Sequence, residues 1–456
     1  MTKSAFEYGS RLVPACALLW TATVCAGDFQ KGLEAFQAGD YSSAMTEWMP
    51  LAEGGDLNAM YNVGLLFDEG LGVQQDKAAA LEWYLPAAQD GDVAAQFNVA
   101  TIYDFGEGVP EDNEQAIYWY SQAAMQADEQ AQFNLGVMYS SGEGVPVDRE
   151  QAMKWYRLSA DQGHAPAQYN LAHMLDTGSL GMEDNQEAMS WYLKAAEQGD
   201  ADAQYAIALM YDNGDGFIED NLLAIEWYQR AAVQGLQDAQ FNLAVMYDVG
   251  EGVPEDNTLA LQWYRAAAEQ GHSGAQLNLG IMLENGEGTE VDTAGAMRWY
   301  RKAADQGMTD AQYAVALMFD EGVGVAEDNA AAISWYRIAA QQGDADAQNN
   351  LGAMYDAGEG IDEDDAEAVH WYALAAEQGN SIAQNNLGAM YYAGEGVEQN
   401  KIEAYKWFFI SSRLGNDDGR ENGQYASQSM RPDEIQKAER LGREWLAAFE
   451  KSAEGL

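Results

Sequence analysis

Cysteine is nearly absent. The 456 residues hold two, Cys16 and Cys25, both within the first 26. Beyond that segment no disulfide, thiol nucleophile or thiolate metal site can form, so stability has to come from burial. Basic residues are scarce as well: 23 Lys and Arg stand against 74 Asp and Glu, a net charge of −51. A chain so anionic repels a phosphate backbone, which argues against nucleic acid and anionic lipid as partners. Long apolar runs are missing too. The one notable run, Leu12 to Val24, is 13 residues long and too short to span a bilayer. Lys3 and Arg11 precede it and Val24-Cys25-Ala26 closes it, so residues 1–26 read as a signal peptide cleaved after Ala26. The expectation is an exported protein, periplasmic or secreted and not membrane-spanning. Val24 before Cys25, and the short apolar stretch before Cys16, fit a lipid anchor poorly.

Catalytic constellations are equally thin. There is no Ser-x-x-Lys pair, in which lysine would activate a serine. Four histidines, His164, His173, His272 and His370, are spread over different segments and do not suggest one triad or cage. The chain therefore reads as a non-enzyme, with no cofactor and no dedicated metal site.

What the sequence does have is a ruler. Trp83, Trp119, Trp155, Trp191, Trp227, Trp263, Trp299, Trp335, Trp371 and Trp407 stand 36 residues apart, and Trp48 stands 35 before the first. A fixed period of this length marks stacked supersecondary units rather than one globular core. Hydrophobic residues at 47% and aromatics at 11% support a packed fold despite the charge.

One period, residues 200–235, shows the logic. Asp200 suits a helix N-cap, and Ala203, Ile207, Met210 and Tyr211 follow at helical spacing. Ala208 and its counterparts are never larger than Ala, which suggests two backbones crossing closely. Asp212 to Gly216 breaks the helix, Asp220 caps a second, and Ala224, Trp227, Tyr228, Ala231 and Ala232 form its buried stripe. Gly235 ends it; Ala127 replaces that glycine in one period and implies a strained or reshaped turn.

The expected fold is all-α, a solenoid of stacked helical hairpins. Ten full repeats are expected over 56–415, a shorter capping unit over 28–55, and an amphipathic capping segment over 416–456 with a helix after Arg431-Pro432-Asp433. The charge divides along the same lines. Residues 27–400 carry 63 acidic and 12 basic residues, and residues 401–456 carry 10 and 9.

Units such as Ala131-Gln132-Phe133-Asn134-Leu135-Gly136, Gly142-Glu143-Gly144-Val145-Pro146, Trp155-Tyr156 and a closing Gly163 resemble Sel-one-like repeats, relatives of the tetratricopeptide repeat with a longer inter-helix loop. The likeness covers about 56–415, and residues 28–55 look more like a plain tetratricopeptide unit. It implies a right-handed α-solenoid whose inner face is lined by first helices, with scaffold, adaptor or host-contact roles. Some relatives are disulfide-rich, and no cysteine of residues 27–456 could carry their bridges. Residues 179–182 depart from the usual loop pattern.

Two rows on the first helices are candidates for contact. The variable row includes Val137, His173, Leu209, Val245, Ile281 and Leu317, apolar except for His173 in an acid-rich chain. Four residues earlier runs an aromatic row: Phe97, Phe133, Tyr169, Tyr205, Phe241 and Tyr313. Spacing of i and i+4 puts both on one helical face. The aromatic row reads as packing, and the variable row as the partner-binding site. The implied partner is a protein or peptide with a hydrophobic anchor and a basic rim. A polysaccharide-associated role, with sugars stacked on the aromatics, is the alternative. The acidic loops lack calcium-loop spacing and read as a solvated edge, open to weak divalent cation association.

Overall fold

The computed structural model describes residues 27–454 apart from Met182. The expected signal peptide therefore lies outside the described residues. The chain forms two compact units, one ending at Trp227 and one beginning at Tyr228. Among the described residues there are 24 α-helices and no strand. Within each unit, neighbouring helices pack as antiparallel hairpins, each hairpin against the next.

In the first unit the opening hairpin is short: α1 (Phe29–Gln37) and α2 (Tyr41–Glu53), joined at Gly39-Asp40. Trp48 is fully buried in it, and its indole N–H donates to the Phe29 carbonyl at 3.1 Å. The 36-residue hairpins then begin with α3 (Leu57–Glu69) and α4 (Lys77–Asp90). In the second unit they end with α21 (Ser381–Ala393) and α22 (Lys401–Arg413), followed by α23 (Asp417–Ser427) and α24 (Pro432–Glu454). The last helix lies against α22: Trp445 packs edge-on to Trp407 with ring centroids 5.8 Å apart, and donates to Glu377 at 2.8 Å. The last hairpin's apolar face is covered in this way, as an array end requires.

The aspartates before the second helices act as N-caps. Asp76, Asp112, Asp148, Asp184, Asp256, Asp292 and Asp328 each accept from the backbone N–H three residues on. Their own N–H groups close the inter-helix loop, as Asp256 does on Tyr247 at 2.8 Å. The second glycine of that loop packs onto the preceding hairpin. A Cβ at Gly216 would come within 2.5 Å of the Asn185 side chain, so the loop seats only a residue without one. The unusual loop after α9 (Ala165–Asp176) ends its helix on the right-handed cap Thr177 rather than on a glycine. Asp184 nevertheless closes it by donating to the Leu175 carbonyl at 3.0 Å.

Two expectations need correction. The tryptophans expected in the buried stripe differ in depth: Trp48, Trp119, Trp191 and Trp407 are buried, but others are not. Trp83, Trp155, Trp263, Trp299 and Trp335 are half-buried, while the adjoining Tyr84, Tyr156, Tyr264, Tyr300 and Tyr336 are buried. The small first-helix position is not primarily a backbone crossing but a seat for that tyrosine ring: a Cβ at Gly136 or Gly280 would stand 2.5 Å from Tyr156 or Tyr300. Ala127 keeps the expected turn at a cost. Its φ is 68°, the one positive φ outside glycine among the described residues.

The hairpins are stitched by a ladder that sequence reasoning missed. Buried Gln132, Gln168, Gln240, Gln276, Gln312 and Gln348 each donate to the carbonyl of an alanine eight residues earlier, in the previous hairpin's second helix. Each also accepts from a glutamine 30 residues later, at distances of 2.8–2.9 Å. Its signal was present as an Ala-Gln pair near the start of every first helix from α5 (Val93–Phe105) onward to α21, and a Gln near the end of every second helix between the first and last 36-residue hairpins.

Candidate interaction face

The first helices build the candidate face from side chains at i, i+4 and i+7. In α13 (Gln237–Val249) these are Phe241, Val245 and Asp248; in α15 (Ser273–Asn285) Leu277, Ile281 and Glu284; in α17 (Thr309–Glu321) Tyr313, Leu317 and Asp320. In the first unit, α7 (Glu129–Ser141) brings Phe133, Val137 and Ser140, and α9 brings Tyr169, His173 and Asp176.

The aromatic row is half-buried. Phe133, Tyr169, Phe241 and Tyr313 lie 5.7–5.9 Å, centroid to centroid, from Tyr156, Tyr192, Tyr264 and Tyr336 of their own hairpins. His164 and His272, at the start of the next first helix, cover Phe133 and Phe241 at 4.8 and 4.3 Å. His272 Nδ1 also accepts from the Ala275 N–H, taking the place that aspartate holds in other hairpins. Burial holds both imidazoles below the ordinary histidine range. The other two histidines lie apart from these: His370 is exposed beside Trp371, and His173 stacks parallel to Tyr169 with centroids 6.1 Å apart.

The variable row is mixed in exposure. Val137 and Val245 are half-buried and packed against the core, and Leu209 and Leu317 are half-buried. His173 is exposed, and Ile281 is 39% exposed. Within the second unit the row loses size toward its end, where Ala353 and Ala389 follow Leu317 and the aromatic row becomes Asn349 and Asn385.

The third row, of carboxylates, includes Asp248 and Asp356, which the sequence places in the solvated acidic edge. Each accepts from the core tyrosine 16 residues later: Asp176 from Tyr192 at 3.3 Å, Asp248 from Tyr264 at 3.0 Å, Glu284 from Tyr300 at 2.6 Å, Asp320 from Tyr336 at 2.9 Å, Asp356 from Tyr372 at 3.2 Å. The recurring acid-to-tyrosine spacing was its readable trace. Burial pushes Asp176, Asp248 and Asp356 above the usual carboxylate range despite the phenol bond, and neighbouring carboxylates add to the push.

These groups offer apolar contact beside negative charge, without a nucleophile activated by a base. Among the described residues no three His, Cys, Asp or Glu side chains converge as a metal cage, and no helix is long and apolar enough to cross a membrane.

The Sel1 repeat model matches ten consecutive segments, from 57–92 through 381–416. A solved structure of c5321, described as a protective antigen of uropathogenic Escherichia coli with an SLR fold, is 35% identical. It covers 90% of this chain and 96% of its own, with a TM-score of 0.65. A Sel1 repeat protein from Oxalobacter formigenes is 32% identical over 68% of this chain and 89% of its own, with a TM-score of 0.54. No curated protein matches the chain.

Proposed function

The chain belongs to the Sel1 repeat family, and from that premise we propose that it is an exported scaffold that binds a protein through the face of its first helices. Sel1 repeat proteins are in general non-catalytic scaffolds for protein interaction. The observation that carries the finer reading is Ile281. A branched apolar side chain stays 39% exposed on the face of a chain with net charge −51, where a solvated position would be expected to carry a polar group. Leu277, Leu317 and Tyr313 flank it in sequence register and are half-buried.

The partner presents an apolar anchor to Ile281 and a basic rim to the acid row, because charge complementarity steers encounter and rejects wrong partners. Export rests on the apolar run at Leu12–Val24, and the protective-antigen description of the Escherichia coli relative is in keeping with it. Divalent cations collect weakly at the acidic loops and relieve their repulsion.

The test is retention from envelope extracts by residues 27–456. Ile281→Asp with Leu317→Asp should lose the retained protein while helical content holds. Unchanged retention by that variant would reject the face as the binding surface.

A further inference from the structure

One carboxylate of the acid row already holds a cation. Lys77, the first residue of α4, places its ammonium 2.6 Å from Asp68 Oδ1 and 3.0 Å from Glu107 Oε2, in the loop of the next hairpin. The other oxygen of Asp68, Oδ2, accepts from Tyr84 at 3.0 Å. The tyrosine thus fixes the carboxylate and the lysine bridges it to the neighbouring hairpin.

The same frame recurs without the lysine. Asp176, Asp248 and Asp320 each take the tyrosine hydroxyl on Oδ2, as Asp68 does. The next loops bring Asp215, Glu287 and Glu359 to the register of Glu107. Asp176 is pushed up in part by Asp215, and Asp248 by Glu287, like charges at the same register, although His173 offsets part of the push on Asp176. At the register of Lys77 stand Asn185, Asn257 and Asn329. Asn329 only partly answers the charge, its amide lying 3.5 Å from Glu359. The Oδ1 atoms of Asn185 and Asn329 are buried and have no hydrogen-bond donor among the described residues. None of the six carboxylates has an ion-pair partner there.

We propose that Asp176 with Asp215, Asp248 with Glu287, and Asp320 with Glu359 are seats for lysine side chains of a bound protein, each taking one ammonium as Asp68 and Glu107 take Lys77. The inference rests on the protein-binding reading above and names the chemistry of recognition. An ammonium suits the seat better than a bare divalent ion. It brings several N–H donors for two carboxylates and, at the Asn185 and Asn329 seats, an orphaned amide oxygen, whereas a divalent ion would want more oxygen ligands than converge there among the described residues. Within the second unit the Asp248 and Asp320 seats lie on α13 and α17, the first helices before and after the α15 that carries Ile281, so a basic segment bound there would meet apolar contact and charge together.

The test fills the seats from within. Asn185→Lys, Asn257→Lys and Asn329→Lys together copy Lys77. Ser190→Lys, Gln262→Lys and Ser334→Lys, at exposed positions on second helices, change the net charge equally. The probe is a synthetic peptide alternating lysine and glycine, measured by calorimetry at physiological salt, with its Nε-acetylated form as the neutral control. The seat-filled protein should bind the peptide about tenfold or more weaker than the charge-matched control. Equal affinities would overturn the proposal and leave only diffuse attraction to a polyanion. Without peptide, the seat-filled protein should melt higher than the control; an equal or lower midpoint would also overturn it. Neither readout uses the retained envelope protein, so the wider scaffold reading stands or falls separately.

Discussion

Gln276 offers a test of the stitch between hairpins. It is 4% exposed, donates to the Ala268 carbonyl at 3.1 Å and accepts from Gln306 at 2.8 Å. Both partners keep some satisfaction when it is lost: Ala268 still accepts from the Gly271 N–H, and Gln306 still donates to the Gly271 carbonyl at 3.0 Å. Gln276→Met nearly keeps the volume and removes both bonds. Two buried hydrogen bonds at ~0.5–1.5 kcal/mol each predict a cost of about 1–3 kcal/mol. Gln276→Ala adds a cavity and should cost about 1–2 kcal/mol more. A repeat array does not unfold as a single two-state body, so a melting midpoint alone would blur the effect. Amide hydrogen exchange reads it locally. Protection should fall in α15, in α16 (Thr293–Asp305) and in the preceding α14 (Asn257–Glu269), while helices two hairpins away stay protected. A cost below about 0.5 kcal/mol for Gln276→Met would refute the claim that the amide ladder, and not apolar packing alone, joins the hairpins. Uniform loss along the whole unit would refute its local character.

Three further outcomes are expected. Gln384 is fully buried and its Oε1 lacks the partner that the ladder supplies elsewhere, because Leu414 stands where that glutamine belongs; Leu414→Gln should stabilise the last hairpin by about 0.5–1.5 kcal/mol, and a loss would contradict the ladder geometry. Ala127→Gly should stabilise by about 0.5–1 kcal/mol, since φ is 68° there and the equivalent Gly91, Gly163 and Gly199 have open space around them; no gain would show that the left-handed turn carries no strain. Melting should rise with salt, and also as pH falls from neutral toward the carboxylate range. Asp176, Asp200, Asp248, Asp344 and Asp356 have folded pKa values raised by burial, so the folded state holds protons the unfolded state has lost, and stability falls as pH rises through those values. His164 and His272 work against this below about pH 6.5, since their lowered pKa values make the folded state the poorer proton acceptor, and so does Glu187, which its bond to Arg157 holds below the usual carboxylate range. A melting point that drops steadily from neutral pH downward would contradict the balance.

Much of the fold was legible because nearly every hairpin repeats the same local instructions: an acid cap, a helical apolar stripe, a glycine at the turn. Asp256, Ala260 and Tyr264 do in the structure what their spacing implies. What escaped was cross-hairpin chemistry. Gln276 and Gln306 are 30 residues apart, and nothing in either residue's local pattern announces the other. Tryptophan drew the eye by its rarity, yet Tyr300 lies deeper than Trp299 because its ring fills the space left by Gly280. The variable row was placed on the first helices by i, i+4 spacing, but its depth depends on packing that spacing does not set. Val245 rests against the core, and Ile281, one repeat later, stands out. In sequence the carboxylate row reads as part of a solvated edge. The tyrosine bond that half-buries Asp248 joins two helices, and so was invisible in a single helical window.

Photo-crosslinking from Ile281, compared with crosslinking from Gln262 on a second helix, tests the central claim most directly. A photoreactive residue at each position would be irradiated in the presence of the protein retained from envelope extracts. Both positions are exposed, so each can reach a bound partner if one is there. Capture from position 281 and not from 262 is the result the account predicts. Capture from 262 with none from 281 would place the partner on the second helices and contradict it.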